Sequence, residues 1–162
     1  MIFRFFIWTG FLAILLLFIY NGRFFSQAEA SGIVHFELAT VTNGKLILTS
    51  WEKAGLLPIA LRIIWFDFAY IFFYVAILIT LSNLQIRKES SVAFNALLRS
   101  NFFFAFIAGL LDIFENIFML YNIYSWSDRE YISSRWIASL KFILIAWVVL
   151  VWLISFIKSK IK

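Results

Sequence analysis

The sequence predicts an all-α polytopic membrane protein: an antiparallel bundle of four transmembrane helices with an ordered outer segment between helices 1 and 2. Hydrophobic residues make up 64% of the 162 residues and charged residues 14%. Soluble domains average about 45–50% and about 25%. Because a chain of this size leaves roughly a third of its surface exposed, a soluble fold could not hide so much apolar surface. The composition therefore excludes a soluble globular domain, a disordered chain and a secreted disulfide scaffold.

Four apolar runs are each long enough to cross a bilayer, because a hydrocarbon core of about 30 Å needs roughly 20 helical residues. The runs are continuous rather than alternating, which excludes a membrane-spanning barrel. The expected spans are residues 5–20, 57–82, 97–123 and 136–157. No repeat or low-complexity tract marks a second unit, so residues 1–162 are expected to form a single transmembrane domain.

The first span also has features of a signal peptide, because Ala28-Glu29-Ala30 follows the apolar run as a small-x-small sequence. Its run of about 16 residues exceeds the roughly 7–15 of a signal peptide's apolar region. The intervening Arg23-Phe24-Phe25 is bulky and unlike a cleavage region. We therefore expect this segment to be retained as a span.

The outer segment, residues 21–56, is compatible with two structures. Asn43-Gly44 lies between apolar runs and is a hairpin signal. The alternative is an interfacial helix capped by Thr40 or Thr42, with Trp51 at the lipid headgroups. We favour the helix, because an isolated two-stranded hairpin is only marginally stable in water.

The same segment holds the chain's single histidine, His35, two residues before Glu37. The pair could serve as a base or a ligand at the outer surface, although a lone histidine in such a segment is more often solvated or packed. We count His35, Glu37 and Trp51 as candidate site residues of the outer segment.

Basic residues predict the orientation of the bundle. Arg87, Lys88 and Arg99 flank the second connection, and lysines end the chain. By the positive-inside rule, both termini are expected in the cytoplasm.

Three acidic residues lie inside the predicted spans: Asp67 in the second, and Asp112 and Glu115 in the third. Each costs roughly 2.5–3.5 kcal/mol at a helix centre, whereas a Leu, Ile or Phe returns only about 0.3–0.6 kcal/mol. At 1.5 Å per residue, Asp67 lies about 15 Å and Asp112 about 16 Å from the outer end of its span. The acids therefore lie at matching depths. Because each is costly to insert, we expect a positively charged partner or a function to compensate.

Helical spacing places other residues on the same faces. The second span carries Asp67, Tyr70 and Tyr74 at i, i+3 and i+7, and the third carries its two acids with Asn116 at i+4. Arg62 and Lys141 lie at similar depth, so we expect them to pair with the acids, and Trp65 is deep enough to line a pocket. The candidate ligand-binding residues are Arg62, Trp65, Asp67, Tyr70, Tyr74, Asp112, Glu115, Asn116 and Lys141.

Three functions are compatible with these acids. We favour a non-catalytic membrane module, either an accessory subunit or a lipid-binding protein, because buried polar clusters often only fix helix register. The second is an enzyme acting on a lipid or isoprenoid, with Asp112 or Glu115 as general acid/base and Asp67 stabilising positive charge. The third is a proton or ion carrier.

Composition also limits the cofactors and partners. With no cysteine and one histidine, we expect no cofactor and no metal site. Membrane lipids are the expected partners, and a membrane-protein partner or a second copy of the chain stays open. Nucleic acid is not expected, because no basic face is left over once the span ends are accounted for.

A pattern through the chain resembles a group of small four-span bacterial membrane proteins. It consists of Phe36-Glu37-Leu38-Ala39, Trp51, Asp67 and Gly109-Leu110-Leu111-Asp112 followed by Glu115-Asn116. The resemblance implies a four-span fold in a bacterial inner membrane and singles out these acids, Trp51 and Asn116, but implies no particular chemistry. The architecture is also similar to that of emopamil-binding and sigma-2 type proteins, whose acids face a lipid-fed cavity. Their ordered motif is not present here, so this second likeness is one of architecture only.

Overall fold

The computed structural model describes residues 2–125 and 132–161, and every regular element in these ranges is a helix. The helices are α1 (Ile2–Gln27), α2 (Ile33–Glu37), α3 (Val41–Lys53), α4 (Leu57–Ile86), α5 (Val92–Tyr124) and α6 (Arg135–Ile161). Four of them, α1, α4, α5 and α6, are long and apolar enough to cross a membrane. The predicted all-α bundle, with an ordered segment between its first two spans, is confirmed.

The long helices extend beyond the predicted spans. The first continues to Gln27 rather than ending near residue 20, and α5 begins at Val92 rather than near residue 97. Hydropathy marks the part of a helix that matches the hydrocarbon, whereas backbone hydrogen bonds continue through polar residues into the interface. Asn21 lies in this extension, and its side-chain amide donates to the Leu17 carbonyl one turn earlier in α1.

The segment between α1 and α4 is helical, so the hairpin alternative is wrong. Thr40 is the N-cap of α3, and its hydroxyl accepts a hydrogen bond from the backbone N–H of Asn43. Asn43 and Gly44 therefore lie in the first turn of a helix and not in a turn between strands. The segment ends at Gly55, whose φ of +67° suits glycine, and Pro58 then lies in the first turn of α4.

An aromatic core fixes the α2–α3 segment to one end of the bundle, which we call the α2–α3 end. The Trp51 ring lies 5.2 Å from that of Phe25 in α1 and 4.8 Å from that of Phe36 in α2. Its indole N–H donates to the Ser31 carbonyl. The expected position of Trp51 at the headgroups is wrong, because the side chain is fully buried and joins three helices.

The spanning helices are not packed equally against one another. The fifth helix packs along both α4 and α6, and α1 packs on α4, where the ring of Phe73 lies against Gly10. By contrast, α1 and α6 make at most marginal contact in the described part of the chain. One side of the bundle is therefore open between α1 and α6.

Candidate functional site

Lys141 of α6 is the centre of a buried charged cluster. Its Nζ lies 2.7 Å from Glu115 Oε2, 2.8 Å from Asp112 Oδ1 and 3.5 Å from Glu37 Oε2. The Lys141 side chain is only 5% exposed. An ammonium group has three N–H bonds, and three carboxyl groups surround this one. Burial of the charge is therefore compensated on all sides of the nitrogen.

Glu37, which we expected at an outer surface, belongs to this cluster. It is the last residue of α2 and is buried against α6. Burial raises the pKa of Glu37 to about 8, against the opposing effect of the Lys141 ammonium and with a further rise from Glu115 and Asp112. Spacing along the chain could not show this contact, because it depends on how α2 folds back over the bundle.

Two further hydrogen bonds join α4 to α5 beside the cluster. The Tyr74 hydroxyl donates to Asp112 Oδ2 at 2.9 Å, and the Asn116 amide donates to Asp67 Oδ2 at 2.8 Å. The two stripes of residues noted in the sequence therefore face each other across the α4–α5 interface. Asp67 itself has no ion pair in the described part of the chain.

The structure does not bring Arg62 or Trp65 to the cluster. Arg62 is exposed and forms no ion pair with the described residues, so the expected pairing of the acids with Arg62 is wrong. At about 100° per residue, Arg62 lies about 140° around α4 from Asp67, and Trp65 about 160° from it. Trp65 is accordingly 57% exposed on the outer face of the bundle.

These placements change the charge of the cluster. We expected three acids against Lys141 and Arg62, a formal excess of one negative charge. The structure instead joins or adjoins four carboxyl groups, Glu37, Asp67, Asp112 and Glu115, to one ammonium group. The formal excess is three negative charges, from four minus one, when all the acids are ionised.

A cavity of about 970 Å³ opens on the side of the bundle between α1 and α6. Its wall is largely apolar, with Phe11 and Phe18 from α1 and Ile145 from α6. Along α4 the wall runs from Ile63 to Leu78, about 22 Å at 1.5 Å per residue. The Gly32–Glu37 stretch contributes to the wall at the α2–α3 end.

A polar patch lies midway along this wall, between apolar residues on either side. It consists of Glu37, Asp67, Tyr74, Asp112, Asn116 and Lys141. Glu115 is fully buried and does not line the cavity, although it contacts Lys141. Tyr70 and His35 also line the cavity, and the Tyr70 ring stacks on Phe11. The cavity therefore brings most of the candidate residues into one site, with Arg62, Trp65, Glu115 and Trp51 outside its wall.

A second polar cluster, at the opposite end of the bundle, was missed by the sequence reasoning. The Glu89 carboxylate, in the α4–α5 connection, accepts hydrogen bonds from the Ser155 hydroxyl and the Ser91 N–H, and lies 3.4 Å from Lys158 Nζ. Those two hydrogen bonds lower the pKa of Glu89 to about 2. Gln85 of α4 also donates to the Ser155 carbonyl. The cluster ties the connection to α6.

The site offers carboxylates and one ammonium group as its chemistry. Within residues 2–125 and 132–161, no group of three or more His, Cys, Asp or Glu side chains has the arrangement of a metal site. Comparisons with protein-family models, with curated proteins and with solved structures gave no match. The function is accordingly argued from the site itself.

Proposed function

We propose that the protein is a non-catalytic membrane protein that binds a lipid or another amphiphile in the cavity between α1 and α6. The observation that carries this proposal is an apolar cavity of about 970 Å³ with a polar patch midway along its wall. Ligand cavities generally span about 300–1,000 Å³, with apolar walls and a few polar groups that orient the ligand. An amphiphile matches both parts of such a wall.

The open side of the bundle supports exchange with the bilayer. Because α1 and α6 make at most marginal contact, an apolar chain can enter the cavity sideways without the separation of a packed interface. The α2–α3 segment lies over one end of the cavity, where residues from Gly32 to Glu37 form part of the wall. A ligand would therefore come from the membrane and not from the water at that end.

The pairing of the acids supports a binding role over a catalytic one. Asp112 and Glu115, the acid/base candidates, are both held by Lys141, and Tyr74 takes the second oxygen of Asp112. Carboxylates that are held in buried ion pairs in this way are typical of clusters that fix how helices pack. A general acid or base must instead reach the proton that it transfers.

A cavity-filling substitution tests the proposal. Ile145→Trp, in the cavity wall, is expected to reduce the amount of lipid recovered with the purified protein. Ile143→Trp is the matched control, because Ile143 lies on the exposed face of the same helix. Mass spectrometry of extracted lipids gives the ratio of lipid to protein. Equal ratios for the wild type and both variants would contradict a ligand in this cavity.

A second candidate is a membrane enzyme acting on a lipid or isoprenoid, with Asp67 in the role of general acid. Asp67 favours it because this carboxyl group lines the cavity without an ion pair in the described residues. Comparing lipids from membranes that contain the wild type or Asp67→Asn tests this function. A lipid species that forms only with the wild type would favour the enzyme, and identical lipid profiles would count against it.

A proton or ion carrier is less well supported. Polar side chains recur along α5, where Asn101 donates to the Val148 carbonyl and to Ser82 Oγ. Asn101 and Asp112 are eleven residues apart, about 16 Å along the helix. The buried residues of α5 between them are Ala105, Ala108 and Gly109, which offer no side-chain relay.

We also infer that the α4–α5 connection and both termini lie in the cytoplasm of a bacterial cell. The support for the cytoplasmic side is the charge at that end of the bundle, where Arg87, Lys88, Lys158 and Lys160 outnumber Glu89. Basic residues next to span ends are retained on the cytoplasmic side.

A further inference from the structure

We propose that the amphiphile in this cavity carries a primary ammonium head group, which binds at Asp67 and Asn116. The inference rests on the proposed function, because it names the class of ligand that the cavity takes. It follows from a count of the hydrogen-bond donors and acceptors that the polar patch leaves unused, together with its excess of carboxyl groups.

The N–H groups of Lys141 and Asn116 and the hydroxyl of Tyr74 are all directed at acids of the same cluster. Lys141 directs its ammonium to Glu115, Asp112 and Glu37. The Tyr74 hydroxyl donates to Asp112, and the Asn116 amide to Asp67. Head groups that need a donor, such as a phosphate or a carboxylate, therefore find no free N–H on Lys141.

Three acceptors of the patch, Asn116 Oδ1, Asp67 Oδ1 and Glu37 Oε1, receive no hydrogen bond from the described residues, and the first two belong to side chains that are already joined by a hydrogen bond. Asn116 is fully buried, and its Oδ1 has no hydrogen-bond partner. Asp67 receives its hydrogen bond on Oδ2, and no described group donates to its Oδ1. Both residues line the cavity. A buried acceptor without a donor destabilises the protein. A ligand that donates a hydrogen bond to these oxygens would remove that cost and so bind more tightly.

The excess of carboxyl groups favours one kind of head group among those that can donate a hydrogen bond. A hydroxyl group would satisfy one acceptor but leave the charge of the cluster unchanged. A quaternary ammonium group would bring a positive charge but no N–H bond. A primary ammonium group supplies one positive charge and three N–H bonds, so it meets Asp67 Oδ1 and Asn116 Oδ1 together.

The apolar wall on either side accommodates the chain of the same ligand. Ile63 and Ile64 lie toward the α2–α3 end of the patch, and Ile77 and Leu78 lie beyond it along α4. Head and chain can therefore both contact the wall at once, with the head at mid-depth.

Four probes with one chain length test the head group: hexadecylamine, hexadecyltrimethylammonium, hexadecanol and hexadecanoate. The full chain is reconstituted in zwitterionic lipid nanodiscs, and each probe competes with labelled hexadecylamine. Empty nanodiscs and the Ile145→Trp variant correct for partitioning into the lipid. We expect hexadecylamine to bind at least about tenfold more tightly than the next probe, as the loss of one charge-assisted hydrogen bond implies. Hexadecanoate is expected to bind most weakly.

The Asp67→Asn variant tests whether the Asp67 carboxyl group binds the ammonium head group. We expect it to reduce the affinity for hexadecylamine at least about tenfold while leaving that for hexadecanol unchanged. Glu29→Gln, a change at an exposed residue, is expected to alter neither affinity. If Asp67→Asn does not fold, the ranking of the four probes on the wild type decides alone.

Each other outcome contradicts a particular claim. Equal affinities for hexadecylamine and either hexadecanol or hexadecyltrimethylammonium would overturn the primary ammonium head but leave amphiphile binding intact. Binding of every probe at the level of empty nanodiscs would overturn the proposed function as well.

Discussion

Lys141 supplies the positive charge that compensates the buried carboxyl groups of the site. Its ammonium group touches Asp112 and Glu115 at ion-pair distance and approaches Glu37, while none of the four is more than about a tenth exposed. Without this charge, three carboxyl groups would lie together in a low-dielectric environment. Uncompensated buried charge is among the largest destabilising effects of a single substitution.

We therefore expect Lys141→Met to lower the free energy of unfolding by about 3–5 kcal/mol, the usual cost of removing one partner from a buried ion pair. Lys45→Met, which changes an exposed lysine of α3, is expected to have little effect. Thermal unfolding in detergent measures both. A Lys141→Met protein that melts with the wild type would show that the carboxyl groups do not depend on this ammonium.

Residues at the site also show what could and could not be predicted from the sequence. The pairing of α4 and α5 through Asp67, Tyr74, Asp112 and Asn116 follows from spacing and matching depth, which belong to single helices. The contact of Glu37 with Lys141 depends on tertiary folding of α2, which spacing does not encode. Depth alone placed Arg62 with the acids, although its angular position on α4 already excluded it.

At the scale of elements, the helices fall into those that hydropathy predicts and those that local signals predict. Apolar runs located all four spanning helices but not their ends, because the helices continue past the hydrocarbon. The capping signal at Thr40 correctly predicted the start of α3. The hairpin signal at Asn43-Gly44 was misleading, because both residues lie in the first turn of this helix. The tie between the α4–α5 connection and α6 had no sequence signal, since it depends on Glu89 meeting Ser155.

That tie gives a prediction for pH. Because the folded pKa of Glu89, about 2, lies below its ordinary value of 4.5, its contribution to stability is present above pH 4.5. The contribution is lost as the pH falls through 2. Glu89→Gln is expected to lower the stability by about 1–3 kcal/mol near neutral pH, through weaker hydrogen bonds from Ser155 and Ser91.

The pH dependence of unfolding measures this difference. The gap between the wild type and Glu89→Gln should narrow as the pH is lowered toward about 2. Glu29→Gln is the control, because the exposed Glu29 should give no gap at either pH. A gap that stays constant with pH would show that the Glu89 charge has no part in the tie.

At the scale of the whole molecule, the chain is suited to a direct test of orientation because it has no cysteine. Thr42→Cys lies at the α2–α3 end and Ser159→Cys near the end of α6. With both termini in the cytoplasm, a membrane-impermeant maleimide applied to intact cells should label the first and not the second. The reverse pattern would invert the orientation, and labelling of both in lysed cells is the control.

Among the described residues of the site, Lys141 alone carries an ammonium group, and its position on α6 has a consequence for biosynthesis. Chains emerge from the ribosome from the N-terminus, so α4 and α5 bring Asp67, Asp112 and Glu115 to the membrane before α6 supplies Lys141. During that interval the acids have no permanent counter-ion in the described part of the nascent chain. Insertion of α6 would then be the event that commits the earlier helices to their final packing. A chain stopped after α5 should accordingly be a preferred substrate for membrane quality-control proteases.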